Sequence, residues 1–99
     1  MIVVTGSVTA RSEALDEVRR PGLAHVHRSR TEPRCISHAV HADCENPSEL
    51  VFFEQWADRA APLAHFAVPA SRDFVRALQS LAGAATPIEI YDATKLDKL

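Results

Sequence analysis

A predicted β-hairpin constrains the fold of this chain more than any other feature of its sequence. Residues 34–43 alternate between two faces with the two-residue period of a strand, and residues 50–57 form a second strand-like segment that is rich in aromatic side chains. The residues between them at 45–49, Glu-Asn-Pro-Ser-Glu, are dense in turn formers. We expect the two strands to pair antiparallel, and one face of the resulting sheet must be covered by helices.

The chain before the hairpin predicts one strand and one helix. Residues 2–10 are mostly β-branched and nearly uncharged, which favours a first strand. Residues 12–30 predict a helix, since Ser12 precedes acidic residues and apolar side chains recur at roughly helical spacing. These apolar positions are Leu15, Val18, Leu23 and Val26. Pro21 and Gly22 lie inside this helix, where proline removes a backbone donor and crowds the preceding turn, so we expect a kink or a break there.

The chain after the hairpin predicts two more helices and a final strand. Asp58 is placed to cap a short helix that reaches Phe66. A second helix opens at Pro69 and is stopped by Gly83. Its predicted apolar face consists of Phe74, Val75, Leu78 and Leu81. Residues 86–93 favour a last strand.

The order strand, helix, strand, strand, helix, strand is that of a ferredoxin-like βαββαβ domain. This α+β fold has an antiparallel sheet with its helices on one face, and we expect residues 1–99 to form a single domain because chains this short rarely hold two cores. The other face of the sheet would expose apolar side chains to water. We therefore expect a homodimer in which the open sheet face of one chain covers that of a second copy.

The composition is that of a soluble globular protein without a pronounced charge bias. Hydrophobic residues make up 46% and charged residues 24%, and 11 basic side chains stand against 13 acidic ones, for a net charge of -2. This balance argues against nucleic acid or a membrane surface as a partner. No apolar run approaches the roughly 20 residues that span a bilayer, and the first residues lack the basic region of a signal peptide. We expect a cytoplasmic protein.

Cys35 and Cys44 flank the first strand of the predicted hairpin. If this segment is extended at about 3.3 Å per residue, their Cα atoms are roughly 30 Å apart, whereas a disulfide needs less than about 7 Å. We expect two free thiols, which fit a reducing compartment.

Four segments carry a resemblance to a known family. They are residues 29–36 (SRTEPRCI), 45–47 (ENP), 51–58 (VFFEQWAD) and 65–71 (HFAVPAS). Together they resemble the antibiotic biosynthesis monooxygenase family of small dimeric αβ-barrel proteins, which includes quinol monooxygenases. The resemblance implies a cofactor-independent monooxygenase that binds a small aromatic or quinol-like molecule between sheet and helices and oxidises it with molecular oxygen, without metal or flavin. A second interpretation is a non-catalytic small-ligand-binding or stress-associated dimer with the same fold.

The chain departs from the family pattern at informative positions. Arg34 stands where family members usually have glycine before the second strand, which leaves the geometry of that turn open. The haem-degrading branch has an asparagine in the first strand and a haem-binding histidine in the second helix. The matching positions here are Gly6 and Ala77 or Leu78. The resemblance therefore does not extend to haem degradation.

The candidate site lies where the third strand meets the helix that follows it. Glu54 and Trp56 are two residues apart and so face the same side of the strand, together with Phe52. Oxygenation without a cofactor needs a base that makes the substrate electron-rich, and His65 is the best candidate because imidazole titrates near neutral pH. The residues we assign are, as catalytic, His65, Glu54 and His38, and, as substrate-binding, Trp56, Phe52 and Phe66.

Structural roles stay open for the same residues. Trp56 can be a core or dimer-interface aromatic, and Glu54 can simply pair with an arginine such as Arg59 or Arg72. Either assigned histidine can be a hydrogen-bonded structural residue.

Metal-dependent chemistry is a third interpretation, although we assign no metal to the chain. Its ligand set would be His38, Glu54 and His65. His41 faces away from His38 on a regular strand, and His25 and His27 diverge on their helix, so neither of these pairs is expected to ligate one ion.

Overall fold

One antiparallel sheet of five strands carries three helices in the computed structural model, which describes residues 1–99. The elements in chain order are β1 (Ile2–Ala10), α1 (Leu15–Ser29), β2 (Cys35–Ala42), β3 (Glu49–Trp56), α2 (Ala60–Ala67), α3 (Pro69–Leu81), β4 (Ala82–Ala85) and β5 (Glu89–Asp92). The strands are ordered β2-β3-β1-β4, and β5 also pairs with β1. This arrangement confirms the predicted α+β fold of ferredoxin-like type, and the sheet stays open within one chain.

The predicted hairpin is present, and its register fixes which side chains face the helices. In β3 the side chains of Leu50, Phe52, Glu54 and Trp56 are buried. Glu54 lies opposite Val4 of β1 and opposite His38 of β2, both of which are also buried. The even-numbered positions of the central strands therefore form the inner face of the sheet.

Two apolar clusters fill the space between sheet and helices. One joins α1 to the sheet through Val18, Val26 and Phe52, with Phe74, Leu78 and Leu81 of α3 packed against it. The second joins α2 to the sheet through Ala61, Val4 and Trp56. Burial of this apolar area is the main contribution to stability. None of the helices is both long enough and apolar enough to cross a bilayer.

Helix α1 differs from its prediction at its start and at its centre. It begins at Leu15, no side chain caps it, and the Ser12 hydroxyl bonds the carboxylate of its neighbour Glu13 instead. The helix also continues through Pro21, so the expected break is wrong. Leu23 was assigned to the apolar face but is 41% exposed. Burial of Val18, Gly22, His25, Val26 and Ser29 on the inner side of α1 outweighs the local cost of proline.

Strand β2 contains a β-bulge that the alternation of its sequence does not show. Trp56 lies opposite Cys35 and Gln55 opposite Ser37, so Ile36 is the extra residue. Ile36 was placed on the face of His38, but it is 55% exposed, while Cys35 packs against the second cluster. An extra residue in one strand shifts the two-residue period, so the side chains before the bulge change faces.

The turn before β2 has a left-handed backbone conformation at Arg34. This residue has a φ of 68°, the left-handed conformation that favours glycine. Its carbonyl accepts the Ala57 N–H at 2.9 Å, and its guanidinium forms an ion pair with Asp58. The turn therefore keeps its left-handed geometry with an arginine in place.

The end of the chain forms two short strands where one was predicted. Strand β5 covers four of the residues 86–93 predicted as the last strand and begins after Pro87, which cannot donate to the ladder. Strand β4 lies before that range, directly after α3, and was not predicted. The expectation that Gly83 stops α3 is wrong, since the helix ends at Leu81 and Gly83 lies within β4 without a positive φ. As predicted, the Asp58 carboxylate accepts an N–H at the start of α2, from Ala61 at 3.1 Å.

Candidate functional site

Three buried histidines meet between the sheet and the helices. His25 comes from α1, His38 from β2 and His65 from α2. Their ring centroids are 5.4 Å apart for His25 and His38, 4.9 Å for His25 and His65, and 5.7 Å for His38 and His65. One ring nitrogen from each lies within 4.8 Å of the corresponding atom of the other two. The fold therefore concentrates titratable groups at one point, which we call the histidine cluster (His25, His38 and His65).

The carboxylate of Glu32 holds His65 in one orientation. Glu32 Oε1 accepts a hydrogen bond from His65 Nδ1 at 2.6 Å, and the His65 side chain is almost fully buried. Because a carboxylate can only accept, the proton of neutral His65 lies on Nδ1 and its lone pair on Nε2. This carboxylate and imidazole pair is the arrangement that orients a general base.

Arg28 fixes the orientation of His25 in a similar way. Its guanidinium donates to His25 Nδ1 at 2.8 Å and to the hydroxyl of Ser71 at 2.9 Å. Because arginine can only donate, Nδ1 of His25 accepts and its ring proton lies on Nε2. Arg28 Nε lies 3.8 Å from Glu32 Oε2. The guanidinium therefore lies between His25, to which it donates, and Glu32, which accepts from His65.

Glu54 is bonded to the tryptophan rather than to an arginine. Trp56 Nε1 donates to Glu54 Oε1 at 2.9 Å, and Glu54 Oε2 lies 3.7 Å from His38 Nε2. Burial raises the pKa of Glu54 above its usual value, although the bond from Trp56 opposes that shift. The alternative in which Glu54 pairs with an arginine such as Arg59 or Arg72 is therefore not realised, and Arg59 instead lies 3.8 Å from Asp92.

Burial makes two members of the cluster weak bases. It lowers the pKa of His25 to about 3 and that of His38 to about 4, and the neighbouring charges of His65 and the arginines act in the same direction. Both rings are therefore neutral at physiological pH. Neither nitrogen of His38 has a hydrogen-bond partner, which is unusual for a buried imidazole.

A cavity of about 860 Å³ opens beside the cluster, between the sheet and α3. Phe52, Phe66 and Phe74 form part of its apolar wall. Its polar lining includes His25, Glu54, His65, Ser71 and Arg72. This volume fits a ligand of drug size or smaller, and a mostly apolar wall with a few polar groups is typical of small-molecule sites.

The structure brings the six predicted site residues close together, but only four of them line the cavity. His65, Glu54, Phe52 and Phe66 line the cavity. His38 and Trp56 lie behind its wall, and Trp56 is fully buried with its ring 5.0 Å from that of His65. The assigned roles stay predictions.

Sequence reasoning missed His25 and Glu32. His25 was set aside because it diverges from His27, which is indeed exposed. A signal was present, since His25 continues the buried stripe of Val18 and Gly22 at helical spacing and is a polar residue on an apolar face. Glu32 follows the end of α1, and only the tertiary fold places it against α2.

The fold and the site define a class of small α+β proteins with a polar cluster on the wall of a partly open, largely apolar cavity. A family model described as antibiotic biosynthesis monooxygenase matches residues 1–77. The chain belongs to this family. Membership supports a monooxygenase in general terms.

Individual relatives agree with this result. An uncharacterized protein from Synechocystis sp. is 31% identical over 98 residues, covering 99% of this chain and 67% of the relative. A solved structure described as an antibiotic biosynthesis monooxygenase is 28% identical, with a TM-score of 0.86 over 96% of this chain and 100% of the other. A candidate antibiotic biosynthesis monooxygenase from Deinococcus radiodurans is 23% identical with a TM-score of 0.93, covering 100% and 98% of the two chains, and shows the common fold.

Proposed function

We propose that this protein is a cofactor-independent monooxygenase that oxidises a small aromatic or quinol-like substrate with molecular oxygen. The observation that carries the proposal is the 2.6 Å bond between Glu32 and His65 on the wall of a largely apolar cavity. It combines an oriented base with a largely apolar surface for an aromatic ring. Both are requirements of a reaction that begins by making the substrate an electron-rich anion.

The reaction needs no external reductant when the substrate is a quinol. The ring gives up four electrons, one oxygen atom of O₂ forms a new carbon–oxygen bond and the other leaves as water. A hydroquinone plus O₂ thus gives a hydroxyquinone plus water. The protein has to remove a phenolic proton, hold the anion and admit oxygen.

His65 is the proposed base. Since its Nδ1 proton is held by Glu32, Nε2 is the nitrogen with a free lone pair. The carboxylate favours the imidazolium that forms when Nε2 accepts the phenolic proton. Glu32 acts as a positioning residue because it works through His65.

His25 and the aromatic wall are proposed to hold the substrate. His25 lines the cavity and, because Nδ1 accepts from Arg28, presents an N–H at Nε2 that can donate to an anionic oxygen. Phe52 and Phe66 supply apolar surface for the ring, as assigned from the sequence. Trp56 supports this arrangement from behind by bonding Glu54 and packing against His65.

The non-catalytic alternative has less support from this geometry. A purely binding cavity would be expected to be apolar, with His65 bonded to backbone. The cavity here is lined by Glu54, His25 and Arg72, and the partner of His65 is a carboxylate side chain. The reaction is therefore favoured over binding alone.

We also propose that two chains associate through the outer face of the sheet. Phe53 and Tyr91 on that face are 41% and 47% exposed, and Val3, which lies opposite Tyr91 in β1, is half-buried. A second copy would remove these apolar side chains from water.

Oxygen uptake with a panel of substituted hydroquinones tests the proposed reaction. We expect consumption of one O₂ per quinol without added metal, flavin or reductant, and loss of this activity in His65→Gln. His27→Gln is the matched control because His27 is exposed on the outer side of α1. Equal rates in wild type and His65→Gln, or no uptake with any substrate, would refute the proposal.

A further inference from the structure

We propose that His25, His38 and His65 also form a binding site for one divalent transition-metal ion, for which Zn²⁺ serves as the probe. Imidazole nitrogen is a preferred ligand of such ions, and three histidines with an open fourth position are a common way to bind zinc. The cluster differs from the set of His38, Glu54 and His65 expected from the sequence. The structure replaces the carboxylate with His25 from α1, whose ring nitrogen converges with those of the other two.

The spacing of the three nitrogens is close to what a metal requires. For three atoms that are no more than 4.8 Å apart, there is always a point within about 2.8 Å of all of them. Zinc bonds imidazole nitrogen at about 2.1 Å, so each nitrogen has to move inward by about 0.7 Å or less. Small side-chain rotations supply shifts of this size, since the three residues come from separate elements.

An unpartnered buried histidine gives independent support. His38 is 1% exposed, and neither of its ring nitrogens has a hydrogen-bond partner. Buried polar groups are nearly always paired, so an orphaned imidazole facing two others calls for a ligand.

Glu32 provides the outer support that metal-bound histidines usually have. Its carboxylate accepts the Nδ1 proton of His65 at 2.6 Å, which leaves Nε2 free for the ion. Because the same Nε2 lone pair is the proposed base, a bound ion and the proposed oxygenation exclude each other, and the ion acts as an inhibitor of the reaction. Such carboxylate partners orient the ring and raise its basicity as a ligand. His25 and His65 both line the cavity, so a water molecule from the cavity can take the fourth position.

Arg28 is the one contact that opposes coordination. It donates to His25 Nδ1 at 2.8 Å and thereby keeps the ring proton on Nε2. When His25 binds a metal through Nε2, its proton shifts to Nδ1 and Arg28 loses this acceptor. The guanidinium has another partner close by, because Glu32 Oε2 lacks a hydrogen bond and lies 3.8 Å from Arg28 Nε. Removing the guanidinium should therefore strengthen metal binding.

Equilibrium dialysis of untagged, chelator-treated protein against Zn²⁺ tests the site directly and does not depend on the proposed oxygenase activity. We expect one Zn²⁺ per chain for the wild type and for the variant carrying His27→Gln and His41→Gln, both of which change exposed histidines. Single His25→Gln and His65→Gln variants should weaken binding by about 100-fold or more. Glu32→Gln should weaken it by about 10-fold to 100-fold, and Arg28→Gln should tighten it.

Two results would overturn the inference. One is wild-type protein that binds no stoichiometric Zn²⁺, and the other is binding that persists unchanged in both single histidine variants. Circular dichroism identifies any variant that fails to fold. If a variant does not fold, wild-type protein loaded with Co²⁺ still shows which residues bind the ion. The visible spectrum of a Co²⁺ site with histidine ligands differs from that of a site with cysteine ligands. A cysteine-type spectrum would also refute the assignment.

Discussion

The Glu32 carboxylate and the His65 imidazole are joined by a 2.6 Å hydrogen bond across the gap between the end of α1 and α2. The two residues are 33 positions apart in the chain. This bond determines which nitrogen of His65 is free to act, and the proposed chemistry depends on it.

Replacing Glu32 by glutamine tests the positioning role. The amide oxygen can still accept from Nδ1, but it lacks the charge that favours the imidazolium. We expect kcat for quinol oxidation to fall by about 10-fold to 100-fold with little change in KM, and a smaller loss than in His65→Gln, since general base catalysis contributes about 10²-fold to 10⁴-fold. Glu17→Gln, an exposed change on α1, is the control. A rise in KM with kcat unchanged would contradict the assignment.

The buried histidines predict that stability falls in mild acid. The pKa of His25 is lowered from 6.5 to about 3 and that of His38 from 6.5 to about 4. Below pH 6.5 the unfolded chain binds protons at these residues that the folded chain does not, so stability is lost progressively as the pH falls toward 4. The loss at pH 5 is about 2 kcal/mol for each histidine.

Urea unfolding at pH 7 and pH 5 measures this effect. The raised pKa of Glu54 acts in the opposite direction, because the folded chain takes up a proton there more readily as the pH falls, and it offsets part of the loss. His25→Gln and His38→Gln should each show a smaller difference between the two pH values than the wild type. An equal difference in both variants would show that neither ring is responsible.

The Trp56 indole is predicted to stabilise Glu54. Trp56→Phe removes the Nε1 donor that Glu54 Oε1 accepts at 2.9 Å and leaves a buried carboxylate without this partner. We expect a loss of about 3 kcal/mol in the free energy of unfolding, from the lost bond and the smaller side chain. A double-mutant cycle with Glu54→Leu, whose side chain has no acceptor, isolates the bond. Strict additivity of the two single changes would argue against a coupled pair.

Pro21 is predicted to destabilise the helix that contains it. Pro21→Ala restores a backbone N–H in the middle of α1 and removes the ring that crowds the preceding turn. We expect a gain of about 2 kcal/mol, which is the cost of an interior proline less the entropy gained by the unfolded chain. Urea denaturation measures it, with Ala24→Pro at an exposed position of α1 as the destabilising counterpart. If Pro21→Ala were less stable than the wild type, the packing of the proline ring would contribute more to stability than the restored helical backbone.

Phe53 is predicted to lie in the contact between two chains. Phe53→Glu places a charge on the outer face of the sheet and should convert a dimer into monomers in sedimentation velocity. Leu23→Glu is the control, since Leu23 is also 41% exposed but lies on α1, which covers the inner face of the sheet. A wild-type protein that sediments as a monomer, or a dimer unaffected by Phe53→Glu, would exclude this surface.

Local patterns predicted the elements of this protein because periodicity and turn residues depend on neighbours in the chain. The hairpin and the shared face of Glu54 and Trp56 followed from alternation. The β-bulge at Ile36 and the additional strand β4 did not, since sheet pairing decides them. The continuity of α1 through Pro21 also depends on what the helix packs against.

The sequence by itself determined the ferredoxin-like topology and singled out His65 as the candidate base, because both inferences rest on short-range patterns and on residue chemistry. Only the tertiary structure decided what surrounds His65. His25, Glu32 and His38 belong to segments separated along the chain, and no local spacing relates them. The packing of α1 and α2 on one face of the sheet brings them together, and their burial there sets their protonation and bonding. The chemistry of the site is thus a property of the fold.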